Sequence, residues 1–168
     1  MHRLLLIFFI PFYSWADCSY EKSVPIAFSS DAKTDVLTVR VVAGDDCSKA
    51  FEHIMIKRND GYWLYEYYAS LQHYFRNQEI TRKDVIRLVE VGVSESSFSY
   101  SNRLPAWEPA DVYYENHFQE IKVTKEQYVK YSNQNWLIFS HQVGYEGRAT
   151  IVFDRDSKTV KEISSGSP

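Results

Sequence analysis

"FEHIMIKRNDGYWLYEYYA", residues 51–69, holds two β-prone runs separated by Asn59-Asp60-Gly61. Asp-Gly between such runs is among the strongest local signals of a β-hairpin, because the tight turn that follows strand twist needs positive φ and glycine adopts it without a Cβ clash. The stretch therefore predicts antiparallel pairing. In its second arm the two-residue period places Trp63, Tyr65 and Tyr67 on one face and Tyr62, Leu64, Glu66 and Tyr68 on the other. Aromatics on both faces predict an interior strand, with Trp63, Tyr65 and Tyr67 serving the core rather than a sugar-stacking platform.

Upstream, "DVLTVRVV", 35–42, alternates and is rich in β-branched residues, so it reads as a strand. Downstream the period changes. "SLQHYFRN", 70–77, carries Leu71, Tyr74 and Phe75 at helical spacing. Thr81 then precedes "RKDVIRLVEVG" as a cap, with Asp84 as its capping-box partner, Ile80 and Val85 as a hydrophobic staple and Gly92 as the stop. Val85, Leu88 and Val89 form the stripe that faces a core. Thr124 and Gln127 repeat the capping box for a short helix, with Val123 and Tyr128 as its staple. "NWLIFSHQV", "RATIVFD" and "TVKEISS" read as three antiparallel strands, and Gly166–Pro168 as a frayed tail. Strands, then helices, then strands, with no βαβ alternation, predict an α+β fold: a largely antiparallel β-sheet with two to three short helices packed on one face, in a single domain spanning 17–168.

The chain begins "MHRLLLIFFIPFYSWADC". A basic residue, a short apolar run, and small residues at Ser14 and Ala16 predict a secretory signal peptide over 1–16, cut before Asp17. The apolar run is far short of the ~20 residues that a membrane helix needs. Cleavage removes Arg3 and no acid, leaving 18 of the 19 basic side chains against 22 acidic ones. That mildly acidic balance, without any block of like charge, argues against nucleic acid and anionic membrane as partners. Export also carries Cys18 and Cys47 into an oxidising compartment, periplasmic or extracellular, where they are expected to pair as a disulfide.

Catalytic signatures are sparse. The sequence contains no Gly-rich phosphate loop, His-Glu-x-x-His, Gly-x-Ser-x-Gly or acidic calcium loop, and its histidines show no i,i+4 pair, so no cofactor or metal site is expected. "HQVGYEGR", 141–148, sets a histidine and a glutamate around two glycines. A three-residue loop Tyr145-Glu146-Gly147 with a G1 bulge, pairing Val143 with Ala149, His141 with Ile151 and Phe139 with Phe153, gives the more amphipathic hairpin. It places His141 among apolar neighbours and Glu146 at the exposed tip. The histidine then reads as a neutral, hydrogen-bonded residue at the edge of the core. An acid-base role would require that it open onto a cleft holding a second ionisable group.

The most distinctive segment is "VSESSFSYSNRLPAWEPADVYYENH", 93–117. It shows no clear periodicity, yet its aromatics argue against disorder. Two readings stand: an ordered loop covering the other face of the sheet, or a presented recognition surface. On the second reading Trp107, stiffened between Pro105 and Pro109, anchors a partner with Tyr113 and Tyr114, and Asp111 and Glu115 supply rim charge. The expected function is an exported, non-enzymatic, protein-binding domain, of which an inhibitor or immunity-type protein of a bacterial periplasm is one form. The rival is a small cell-wall-acting hydrolase or carbohydrate-binding module. For a hydrolase, Asp111 and Glu115 beside His117 are the local carboxylate cluster.

Overall fold

The structure, a computed structural model, describes residues 18–32, 34–43, 46–76 and 78–166; the segment expected to be a signal peptide and the last two residues lie outside them. The strands form two antiparallel sheets. β1 (Tyr20–Ile26), β2 (Asp35–Val42), β3 (Phe51–Arg58) and β4 (Trp63–Ser70) make a meander in chain order. The second sheet has the order β5-β7-β8-β9-β6, from β5 (Phe98–Tyr100), β6 (Glu120–Ile121), β7 (Leu137–Val143), β8 (Gly147–Asp154) and β9 (Thr159–Ser165). The described residues also form four α-helices: α1 (Gln72–Phe75), α2 (Arg82–Gly92), α3 (Ala110–His117) and α4 (Lys125–Ser132). The fold is α+β and forms one domain, as expected.

Two buried clusters hold it. Leu37, Val39, Val41, Ile54 and Ile56 on the inner face of the first sheet meet Phe139, Ile151 and Phe153 of the second, with Val85 and Val89 of α2. The opposite face of the second sheet buries Ile138, Val152 and Ile163 under Tyr113 of α3 and Tyr128 and Tyr131 of α4. The helices thus serve two places: α3 and α4 cover the second sheet, and α2 packs on β1 and β2. Gly92 permits that second approach, since a Cβ there would lie 3.2 Å from both Val39 methyls.

Most local signals form as read, but Gly92, expected as the stop, is the last residue of α2, and Val93 is its cap. Both capping boxes are made, Thr81 with Asp84 and Thr124 with Gln127, and the helix near 70–77 is a single turn. Gly61 turns the first hairpin at φ 85°. Cys18 and Cys47 are joined across 29 positions, tying the start of β1 to the turn before β3.

Other expectations change. β4 is an edge strand, not an interior one. A bulge after Ile56 sets Trp63 beside Lys57 on the outer face, apart from Tyr65 and Tyr67. β1 pairs along β2 although its polar alternation gave no clear strand signal. In the second hairpin the loop is Gly144-Tyr145-Glu146, and the pairs are Val143 with Gly147, His141 with Ala149 and Phe139 with Ile151. The positive φ belongs to Gly144, at 68°. Gly147 answers a different constraint: a Cβ there would sit 2.2 Å from the Gly166 carbonyl oxygen. Because the register slides by two residues, every side chain keeps its expected face. Gly166 is buried and donates to the Arg148 carbonyl at 3.0 Å, so it is held rather than frayed.

Candidate functional site

Residues 93–117 are built from a 3-10 turn at Glu95–Ser97, β5, a second turn at Ser101–Arg103, and α3. The buried Ser101 fastens the segment: its N–H donates to the Trp136 carbonyl at 2.8 Å, and its hydroxyl donates to the Gln134 carbonyl at 2.9 Å while accepting from the Trp136 N–H at 3.1 Å. The segment covers the outer side of the second sheet. Tyr113 is 3% exposed, with its ring edge-on to Tyr128 and close to His117, so it serves the core and is not available to a partner. Trp107 is half-buried against the same cluster, with the Lys125 ammonium 4.7 Å from its ring centroid. Asp111, Tyr114 and Glu115 stay exposed on α3.

His141 stands between two clefts. Its Nδ1–H donates to the Gln142 carbonyl at 3.0 Å, which leaves Nε2 to accept from the Tyr65 hydroxyl at 2.7 Å. The ring is stacked near Phe139 and packs 4.5 Å from the Tyr67 centroid. Burial pushes its pKa below the ordinary histidine range, so the imidazole is neutral at pH 7.

One cleft, of about 350 Å³, runs between α2 and the β7–β8 hairpin and has Glu52 on its wall together with His141, Ile54, Leu88 and Val91. The second ionisable group that an acid-base role would require is therefore present. Glu52 is 3% exposed and accepts from the Tyr74 hydroxyl at 2.6 Å. Desolvation raises its pKa to about 7, against the lowering effect of that hydrogen bond. The sequence carried a sign of this. Glu52 shares its face of β3 with Ile54 and Ile56, a carboxylate in an apolar register.

The other cleft, of about 490 Å³, collects Tyr65, Tyr67, Tyr114, Glu120, Lys122 and Glu162. There the Lys122 ammonium, hydrogen-bonded to Glu120, holds that carboxyl below its ordinary range, the reverse of what a general acid needs.

Among the described residues, no helix packs on the outer face of the first sheet. Register fixes what it presents. Val42 lies opposite Phe51, Arg40 opposite His53 and His53 opposite Tyr68, Met55 opposite Glu66, and Lys57 opposite Trp63. Phe51, Trp63 and Tyr68 are exposed by 56%, 45% and 59%. Tyr68 nevertheless has a defined pose. Its ring stacks on the buried His53 at 3.9 Å and 16°, and its hydroxyl donates to Glu66 at 2.5 Å. His53 is clamped in turn, accepting at Nδ1 from Arg40 Nε at 3.0 Å, so that Nε2 carries the proton donated to Glu66 at 2.9 Å. One ring face of Tyr68 is thereby turned outward and held flat against the sheet.

Among the described residues no group of three His, Cys, Asp or Glu side chains is placed to hold a metal, and no helix is long and apolar enough to cross a membrane. No known protein family matches this chain, and neither a curated protein nor a solved structure is similar to it.

Proposed function

We propose that the protein is an exported, non-enzymatic binding domain whose contact surface is the outer face of the first sheet, and that its partner is another protein presenting a complementary apolar patch. The observation that carries this reading is the fixed pose of Tyr68 among exposed Phe51, Trp63, Val36 and Val42 on a sheet face that no described helix covers. A ring already immobilised loses little side-chain entropy on contact, and rigid aromatics are the residues most often found as interface hot spots. Strand spacing and rise give the face a projected footprint of roughly 25 by 19 Å, a large part of the ~800 Å² that each side of a standard interface buries. Its charges are balanced, the half-buried Arg40 and Lys57 against the exposed Glu21 and Glu66, which suits a protein better than a polyanion. The disulfide supports an oxidising compartment, in which an inhibitor or immunity-type role is one form of the function.

The test uses the oxidised mature chain as bait in an envelope extract, alongside Tyr68→Ala and Tyr114→Ala variants. One stoichiometric protein, held by the wild type and by Tyr114→Ala and lost with Tyr68→Ala, is the expected result. Retention on purified peptidoglycan that depends on Tyr68 would overturn the reading in favour of a carbohydrate-binding module. A concentration-dependent dimer abolished by Phe51→Asp would assign the face to a second copy of the chain. Capture that survives Tyr68→Ala and fails with Tyr114→Ala would move the surface to α3.

A further inference from the structure

The cleft between α2 and the β7–β8 hairpin holds a carboxyl that the rest of the fold does not use. Glu52 takes the Tyr74 hydroxyl on Oε2, and no described residue donates to Oε1. Burial and that one hydrogen bond account for its ionisation, with no cation contributing. The groups packed around it are accounted for. Tyr74 of α1, Tyr67 of β4 and His141 of β7 are neutral; Glu146 stands at the cleft, and the Arg148 guanidinium is engaged with the Ser96 carbonyl at 3.1 Å. Ile54 beside it on β3 and Leu88 and Val91 of α2 line the same cleft with apolar side chains. A desolvated carboxylate without a counter-ion, beside an alkyl-lined space and a second carboxylate, is complementary to a cation carried on a short hydrocarbon chain.

We propose that this cleft binds an alkylammonium group, with the Glu52 carboxylate as its counter-ion and Ile54, Leu88 and Val91 packing on the alkyl chain. The same chemistry is offered by a free primary amine and by a lysine side chain, and two probes separate them: n-butylammonium, and a lysine tripeptide blocked at both ends. Binding ejects the proton that Glu52 holds at lower pH. Titration calorimetry of the oxidised mature protein should give one-to-one binding that is about tenfold weaker at pH 6 than at pH 8, with proton release at pH 6 seen as a dependence on buffer ionisation heat. Glu52→Gln should abolish the heat. Val91→Trp, which fills the mouth and leaves Glu52 in place, should do the same, so the result does not hang on the folding of one variant. Tighter binding of butylammonium assigns the site to a free amine; tighter binding of the tripeptide assigns it to a lysine of another chain. The absence of heat with both probes up to about 50 mM, a range that reaches even very weak sites, would overturn the proposal. So would undiminished binding by Glu52→Gln.

Discussion

Replacing Glu52 by glutamine should remove a pH dependence from the stability of the whole domain. The carboxyl is carried from an ordinary 4.5 to about 7 in the folded chain, and each pH unit of such a displacement is worth about 1.4 kcal/mol, so the ionised form is disfavoured by about 3 kcal/mol. The folded state therefore holds this proton more tightly than the unfolded chain. The stability associated with protonated Glu52 is full below about pH 4.5 and is lost as pH rises through about 7. Glutamine is a neutral isostere that still accepts from Tyr74, so the variant has nothing to lose over the same interval. Urea unfolding of both proteins at pH 4.5, 6, 7 and 8, read as a difference to cancel the other carboxylates, measures the effect. The two should be within ~1 kcal/mol of each other at the acid end, and the variant should lead by about 3 kcal/mol at pH 8. Parallel profiles, or a variant equally destabilised at every pH, would refute the assignment of a buried, uncompensated carboxyl.

His141→Ala should cost about 2 kcal/mol, since it opens a cavity beside Phe139 and strands the Tyr65 hydroxyl; an unchanged melting temperature would contradict the hydrogen-bonded, packed role. Replacing Cys18 and Cys47 by serine frees a loop of 29 positions, and denaturant titration should show a loss of roughly 3 to 4 kcal/mol. Trp107→Ala should lower stability by about 2 kcal/mol, because the ring closes one side of the second cluster; equal stability together with lost partner binding would restore it as a contact residue. Gly147→Ala drives a methyl into the Gly166 carbonyl, and faster amide exchange at Gly166, whose N–H is bonded to Arg148, is the expected signature.

Two of the residues that define the candidate sites illustrate what a linear reading misses. Tyr113 and Tyr114 are adjacent and chemically alike, yet α3 turns the first onto Tyr128 and leaves the second exposed. That helix starts at Pro109 without a side-chain cap, so its phase could not be read and neither could the division between its faces. His53 is, in the linear sequence, one of several scattered histidines without ligand spacing. Its actual work, clamping Tyr68 with Arg40 and Glu66, depends on three strands lying in one register.

Features closed within about ten residues were decided by the sequence alone: the Asp-Gly turn, both capping boxes, the alternation of β2, the face of β7 that carries His141, and the α+β class that their order implies. Each depends on backbone geometry and neighbouring side chains that travel together along the chain. Tertiary structure decided which of two sheets a strand joins, that β4 lies at an edge, that the second hairpin slides by two residues, and that Glu52 faces a cleft. These rest on pairs such as Tyr65 with His141, 76 positions apart. Alternation selects a face but not a neighbour, and only the packing of one sheet against the other selects the neighbour.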